Sequence, residues 1–255
     1  MNEWEISEWL DGIPVTEIHR NRRKQVCVRR DLGTIVSVIR FPHPGALDEF
    51  QRHRDALRAA AGRCPALCIP ETLRVRRSEG ESLLAETMPR GSTIGPIAAR
   101  IDALYEGLSA LHTAGWTHMD VKPENLLCFG GCWRLIDFDG AMRLGDTYDR
   151  RQITYEYAPP EARRYDRADG QDDLYAMALM LYEERNQGRL PFQRNSRRVA
   201  VWLRNHVRRV PPPPRCSRSE TRFFEKALAW PRTARFATID AQWMAWQAAI
   251  NDESE

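Results

Sequence analysis

The chain has 255 residues, a formal net charge of +3, 42% hydrophobic residues and 29% charged residues. That length suits one domain of two lobes or two small domains, and the hydrophobic share is globular rather than disordered. A charge so near balance excludes the clustered basic excess of a nucleic-acid binder, and no apolar run approaches the length of a membrane span, so neither nucleic acid nor a bilayer is an expected partner.

The start, Met1-Asn2-Glu3-Trp4-Glu5, is acidic and lacks a charged-then-apolar leader, which predicts a cytoplasmic protein. The six cysteines include the pairs Cys64/Cys68 and Cys128/Cys132. Zinc knuckles use shorter Cys-x-x-Cys spacings, so these are read as reduced, buried thiols. Residues 15–40 read as a hairpin: Val26, Val28, Ile35, Val36, Val38 and Ile39 are β-branched, and Asp31-Leu32-Gly33 turns between them. Over 46–61 the period changes, with Leu47, Phe50 and Leu57 on one helix closed by Gly62. Strands return at 72–76 and 82–88, around a Ser78-Glu79-Gly80-Glu81 turn. Beyond Gly91 the chain reads as helical. Pro96 opens a helix carrying Ile97, Ile101, Leu104, Leu108 and Leu111 to His112, and further helices are expected at 172–186, 197–207, 219–229 and 238–250. Pro211–Pro214 is a stiff connector between two of them. The resulting fold class is α+β.

The chemistry concentrates in His118-Met119-Asp120-Val121-Lys122-Pro123-Glu124-Asn125. A carboxylate, Asp120, can take a proton from a hydroxyl nucleophile. The ammonium of Lys122 can meet a transferring phosphoryl group, and the amide oxygen of Asn125 suits magnesium, which prefers hard oxygen donors shared with phosphates. Pro123 keeps the stretch out of a helix. Twelve residues after Asn125, the apolar strand Leu135-Ile136 delivers Asp137, the natural second metal ligand, followed by Phe138-Asp139.

These two stretches resemble the catalytic loop H-R-D-x-K-P-x-N and the D-F-G metal motif of the eukaryotic-type serine/threonine protein kinases. The likeness continues in order. Thr154-Tyr155-Glu156-Tyr157-Ala158-Pro159-Pro160-Glu161 resembles the family's T-P-E-Y-x-A-P-E. Asp173-Leu174-Tyr175-Ala176-Met177-Ala178 resembles D-x-W-S-x-G, and Gly188-Arg189-Leu190-Pro191-Phe192 resembles G-x-x-P-F. The resemblance spans about residues 15–250. It implies a single two-lobed kinase-like domain over 1–255, with an N-lobe of antiparallel sheet plus one helix over about 1–88 and a mainly helical C-lobe over about 91–250.

The resemblance also implies roles. Asp120 is the catalytic base, Lys122 steadies the γ-phosphate of ATP, and Asn125 and Asp137 hold Mg2+. Thr154 ties Asp120 and Lys122 to the substrate-docking segment. Asp173 holds the catalytic-loop backbone, and Glu161 pairs with Arg235 or Arg232. Ala85 is a small gatekeeper, and the backbones of Glu86 and Met88 bond adenine.

Four departures accompany these matches. No Gly-x-Gly-x-x-Gly is present; the first turn reads His19-Arg20-Asn21-Arg22-Arg23-Lys24, whose guanidinium groups either reach phosphates or form a solvated tip. Arg40 takes the lysine position of V-A-I-K, where it either contacts the nucleotide or blocks it. The helix partner of that residue is Glu49 or His53, or the pair is lost. Met119 and Asp139 replace the arginine of H-R-D and the glycine of D-F-G, and without that arginine activation-loop phosphorylation is not the expected main switch.

The function implied is ATP- and magnesium-dependent phosphorylation of serine or threonine hydroxyls on a protein substrate, with a regulatory partner protein. The alternatives are a pseudokinase that binds and regulates, and a small-molecule kinase. Leu135-Ile136-Asp137-Phe138-Asp139 resembles the D-F-D of lipopolysaccharide-sugar kinases, whereas the Thr154–Glu161 segment resembles a protein-substrate platform.

Overall fold

The computed structural model describes residues 3–95, 98–147, 154, 156–161, 167–191 and 210–252. Pro96, Ile97, Tyr155, Phe192 and the helix expected at 197–207 lie outside them. The chain divides into two compact units, Met1–Gly95 with Leu127–Arg134, and Pro96–Leu126 with Leu135–Glu255. Elements in chain order begin with α1 (Glu3–Trp9), β1 (Val15–Arg20), β2 (Lys24–Arg29), β3 (Ile35–Phe41), α2 (Pro44–Ala61), β4 (Glu71–Arg76) and β5 (Ser82–Met88). They continue with α3 (Ala98–Thr113), β6 (Trp116–Thr117), β7 (Leu126–Phe129), β8 (Cys132–Leu135), β9 (Met142–Arg143), α4 (Gln171–Arg185), α5 (Arg218–Ala227) and α6 (Ile239–Ile250).

The first unit is an antiparallel sheet in the order β1-β2-β3-β5-β4. Strand alternation sends neighbouring side chains to opposite faces. In β3, Val36 and Val38 join Cys27 and Ala85 in a cluster closed by Ile6 of α1 and Leu10 just beyond it. Ile39 and Phe41 instead join Leu84 and meet Leu47 and Phe50 of α2 on the other face. Full burial of Leu47 and Leu57 contributes roughly 1.5–3 kcal/mol each to holding α2 there. Pro44 sits in the first turn of α2, and the His43 ring accepts a hydrogen bond from Ala46 N at 3.1 Å as the N-cap. The β2–β3 turn needs a left-handed residue, which Gly33 supplies at φ 63°.

Two parts of this unit escaped the sequence reading. α1 is a short helix of seven residues whose sequence has only Trp4, Ile6 and Trp9 as apolar residues, too few to show a period. The stretch Leu127–Arg134 joins the sheet unit although its sequence neighbours do not. It packs beside Gly91 and Gly95, and Ser92 exchanges backbone hydrogen bonds with Cys128 at 2.9 and 2.8 Å.

The second unit is mainly helical. α4 is buried from Asp173 through Tyr182, so its composition is apolar all round rather than amphipathic. α5 starts in a capping box: Ser217 Oγ accepts from Glu220 N at 3.1 Å and Glu220 Oε2 accepts from Ser217 N at 2.9 Å. Phe223, Phe224 and Trp246 join α5 to α6, with Phe224–Tyr182 edge-on contact to α4. Against this scaffold sit the chemistry-bearing loops.

Candidate active site

Between β6 and β7 the chain forms a loop held from beneath by Asp173, the third residue of α4. This carboxylate is fully buried and accepts from the backbone N of His118 and of Met119, both at 2.8 Å. It also accepts from Thr117 Oγ1 at 2.6 Å and from the His112 ring at 2.9 Å. Burial pushes the Asp173 carboxyl up, but the hydrogen bond and charge of His112, with His118 and Thr117, outweigh it and hold the group below the ordinary carboxylate value. The anchored backbone leaves Met119 in the left-handed region at φ 68°. That conformation costs a non-glycine residue on the order of 1–3 kcal/mol, which Asp173 offsets by accepting the two amides.

His118 then ties the loop to the strand that follows. Its Nδ1 accepts from Asp120 N at 3.3 Å and its Nε2 donates to Ile136 O at 2.9 Å, while Phe138 packs against the ring edge. Ile136 N also donates to Asn125 O at 2.8 Å. Asp137 therefore follows directly on a residue pinned to the loop, and it too is left-handed, at φ 63°.

At the centre, Lys122 Nζ meets Asp120 Oδ2 at 2.5 Å, and Thr154 Oγ1 donates to Asp120 Oδ1 at 2.6 Å. Lys122 Nζ also reaches Thr154 Oγ1 at 3.2 Å. Asn125 Nδ2 donates to Asp120 O at 2.8 Å and lies 3.2 Å from Asp120 Oδ2. Asp120, Lys122, Asn125 and Thr154 thus form one connected cluster, spread over 34 residues of sequence. All of it is half-buried except Asn125, which is buried. Further along, Glu161 is held in a buried two-point ion pair by Arg235, at 2.6 and 2.9 Å. Arg232 takes Asp169 instead. The Arg235 guanidinium also lies over the Tyr175 ring at 4.6 Å, and burial raises the Tyr175 hydroxyl.

The residues expected to serve a nucleotide, Arg40, Glu86 and Met88, lie in the sheet unit. Arg40 faces Glu81 at 3.4 Å, and the ion pair from α2 to the sheet is made by another residue: Arg54 grips Glu86 at 3.1 and 3.4 Å, with 3% and 1% of these side chains exposed. The physical reason is parity. Glu86 alternates with Leu84, which packs against α2, and so leaves its strand on the α2 face. Ala85 packs in the cluster with Ile6 and Leu10. Glu86 sits between Ser37 and Thr72 within the ladder, and Met88 ends the strand beside Ile35. The Arg54–Glu86 pair was missed because nothing in sequence links positions 32 apart; a Glu inside an apolar strand was the one available signal.

The protein kinase domain family profile matches residues 80–247. The serine/threonine-protein kinase Pkn1 of Myxococcus xanthus is 30% identical over 172 residues, 61% of this chain and 24% of that protein. PknB of Mycolicibacterium smegmatis is 35% identical over 134 residues, 48% of this chain and 21% of that protein. The matched stretch thus spans a quarter or less of these relatives' own length. Among solved structures, the Cydia pomonella granulovirus kinase PK-1 shares the fold, with a TM-score of 0.69 over 93% of this chain and 95% of that one at 19% identity. With its antiparallel sheet and packed helices, its mainly helical second unit and this profile match, the chain has the two-lobed kinase fold and belongs to the eukaryotic-type serine/threonine protein kinase family.

Proposed function

We propose that this chain is an ATP- and magnesium-dependent protein kinase that transfers the γ-phosphoryl group to a serine or threonine hydroxyl of a protein, its two units acting as one catalytic domain. The observation that carries this reading is the Asp120 carboxylate held between Lys122 Nζ and Thr154 Oγ1. In this reading Asp120 accepts the proton of the attacking hydroxyl, and Lys122 compensates the charge of the phosphoryl group as it moves. Thr154 couples that carboxylate to the segment ending at Glu161, which supports a protein rather than a sugar as acceptor. Catalysis is then mostly positioning and charge neutralisation.

The donors suit magnesium. The Asn125 amide nitrogen is committed to Asp120, an assignment that follows from the hydrogen-bond network and leaves its oxygen for a hard cation. The Asp137 carboxylate is the second ligand proposed. Bound there, the ion supplies neutralisation of the phosphate charge. For the nucleotide we assign Arg40 and the backbones of Glu86 and Met88 in the sheet unit, and Lys122 in the helical unit. No helix of the described residues is long and apolar enough to cross a membrane. A cytoplasmic setting, where ATP is supplied and the free thiols stay reduced, goes with this reading.

The pseudokinase reading has one observation in its favour: the α2–sheet ion pair is Arg54–Glu86, and Arg40 takes no part in it. Both readings meet one assay, magnesium-dependent transfer from γ-labelled ATP to the chain itself and to a generic protein, beside Asp120→Ala. Transfer lost in that variant supports the kinase. No transfer with a thermal shift by ATP and magnesium supports the binding module, and neither transfer nor shift removes the nucleotide from the account.

A further inference from the structure

The last helix, α6, carries no charged residue between Asp240 and Asp252. One side of it is buried through Ile239, Gln242, Trp246 and Ala249. Ala241, Met244 and Ala248 leave on the opposite side at helical spacing, and all three are exposed, Met244 by 71%. A helix apolar on both sides is ordinarily covered on both. The outward side of α6 is therefore an apolar face that a partner would cover.

The two flanks of that face carry opposite charge. α6 lies between α3 and α5 of the same unit. On one side Tyr105 stacks on Trp243 at 4.7 Å, and Tyr105 Oη and Ser109 Oγ donate to Asp240 Oδ1 at 3.1 and 3.0 Å. On the other, Phe223 and Phe224 meet the Trp246 ring at 5.1 and 5.7 Å, and Ser219 bonds Asp252. α3 exposes Asp102 and Glu106, four apart and so on one side of the helix. α5 exposes Arg218, Arg222 and Lys226 at the same spacing. The surface thus runs acidic, apolar, basic across three neighbouring helices, and that order is self-complementary. A two-fold axis running along α6 lays Met244 against Met244 of a second copy and carries each acidic row over the other copy's basic row. A two-fold axis across α6 would set acid against acid, so charge selects the first. The acidic row also opposes an anionic lipid surface as the occupant.

We propose that this face is a dimer interface between two copies of the chain. Ala241, Met244 and Ala248 form its centre; Asp102 and Glu106 form one rim, and Arg218, Arg222 and Lys226 the other. It uses none of the residues assigned to phosphoryl transfer, so it stands or falls separately from the kinase reading.

Sedimentation equilibrium of the full chain over a range of concentrations tests it. The wild type sediments as monomer and dimer in exchange. Met244→Glu puts a charge in the seam and raises the dimer dissociation constant by about tenfold or more, at unchanged melting temperature because the side chain is exposed in the single chain. Reversing the acidic row, Asp102→Lys with Glu106→Lys, weakens association by about tenfold, and so does reversing the basic row, Arg218→Glu with Arg222→Glu. All four changes in one chain restore it, which a non-specific contact would not do. A chain that stays monomeric at every concentration overturns the proposal. So does a dimer that Met244→Glu leaves intact, or one that the four changes together fail to restore. Growth past the dimer overturns it as well, because a closed two-fold pair leaves no second contact. A monomer that instead binds phosphatidylserine vesicles, and loses them with Met244→Glu, gives the face to a membrane and removes the dimer.

Discussion

Among the described residues, the Asp120 carboxylate meets the side chains of Lys122, Thr154 and Asn125, at 2.5, 2.6 and 3.2 Å. Lys122 Nζ touches both Asp120 and Thr154, so in the kinase reading proposed above its charge serves the carboxylate as well as the phosphoryl group. Lys122→Met is expected to lower phosphoryl transfer by about 10²–10³-fold, the usual loss for one preorganised charge donor, measured as initial rate. Because that pair is partly exposed, the melting temperature should move little. Thr154→Ala removes the hydroxyl that orients Asp120 Oδ1; a loss of about tenfold is expected, with Thr154→Ser restoring the rate. A serine that fails to rescue would show that the methyl group rather than the hydroxyl matters. Asp120, Lys122 and Asn125, which the structure joins, were readable as candidates beforehand because their spacing is local. The strained Met119 and Asp137 backbones were not, because φ is set by hydrogen bonds from Asp173 and His118 that no local pattern encodes.

At the level of elements, two buried ion pairs hold helices and segments in place. Arg54 joins α2 to β5 through Glu86, and Arg235 joins the approach to α6 with the segment ending at Glu161. Removing one partner strands a buried charge. Arg54→Ala is therefore expected to cost about 3–5 kcal/mol in urea unfolding, while the Arg54→Met, Glu86→Leu double variant is near neutral. A double variant as unstable as the single one would mean the pair itself, not the stranded charge, dominates. Arg235→Lys should not recover the wild type, because an ammonium cannot reproduce the two parallel contacts to Glu161. Periodicity located α2 and α3 within two residues at each end, and the strands β4 and β5 within one. It could not say which residue of α2 would meet the sheet charge, since α2 presents His53 and Arg54 as sequence neighbours 100° apart and only packing selects between them.

For the molecule as a whole, Asp173 links stability to pH. Its carboxyl is depressed in the folded state relative to an ordinary value of 3.8. A group of this sign stabilises fully above its unfolded pKa, and the contribution disappears as pH falls through the folded one. Melting temperature should accordingly be flat near neutrality and fall below about pH 4. Asp173→Asn should melt lower at neutral pH and show a shallower acid decline. An acid decline of unchanged depth in the variant would place the titrating group elsewhere.

The sequence by itself determined the fold class, the sheet strands and α2 of the first unit, α3 and α4 of the second, and the succession from Asp120 to Asp137, Thr154, Glu161 and Asp173. Each of these is a short-range pattern of period, turn chemistry or fixed spacing, so it survives without coordinates. Tertiary structure alone decided that Arg235 rather than Arg232 holds Glu161, that Arg40 faces Glu81, that Arg54 takes Glu86, and that Leu127–Arg134 joins the sheet unit. Those choices depend on which face a strand residue leaves from and on partners up to 74 residues away. A shift of one residue reverses the face, and charge recognises distance in space rather than separation along the chain.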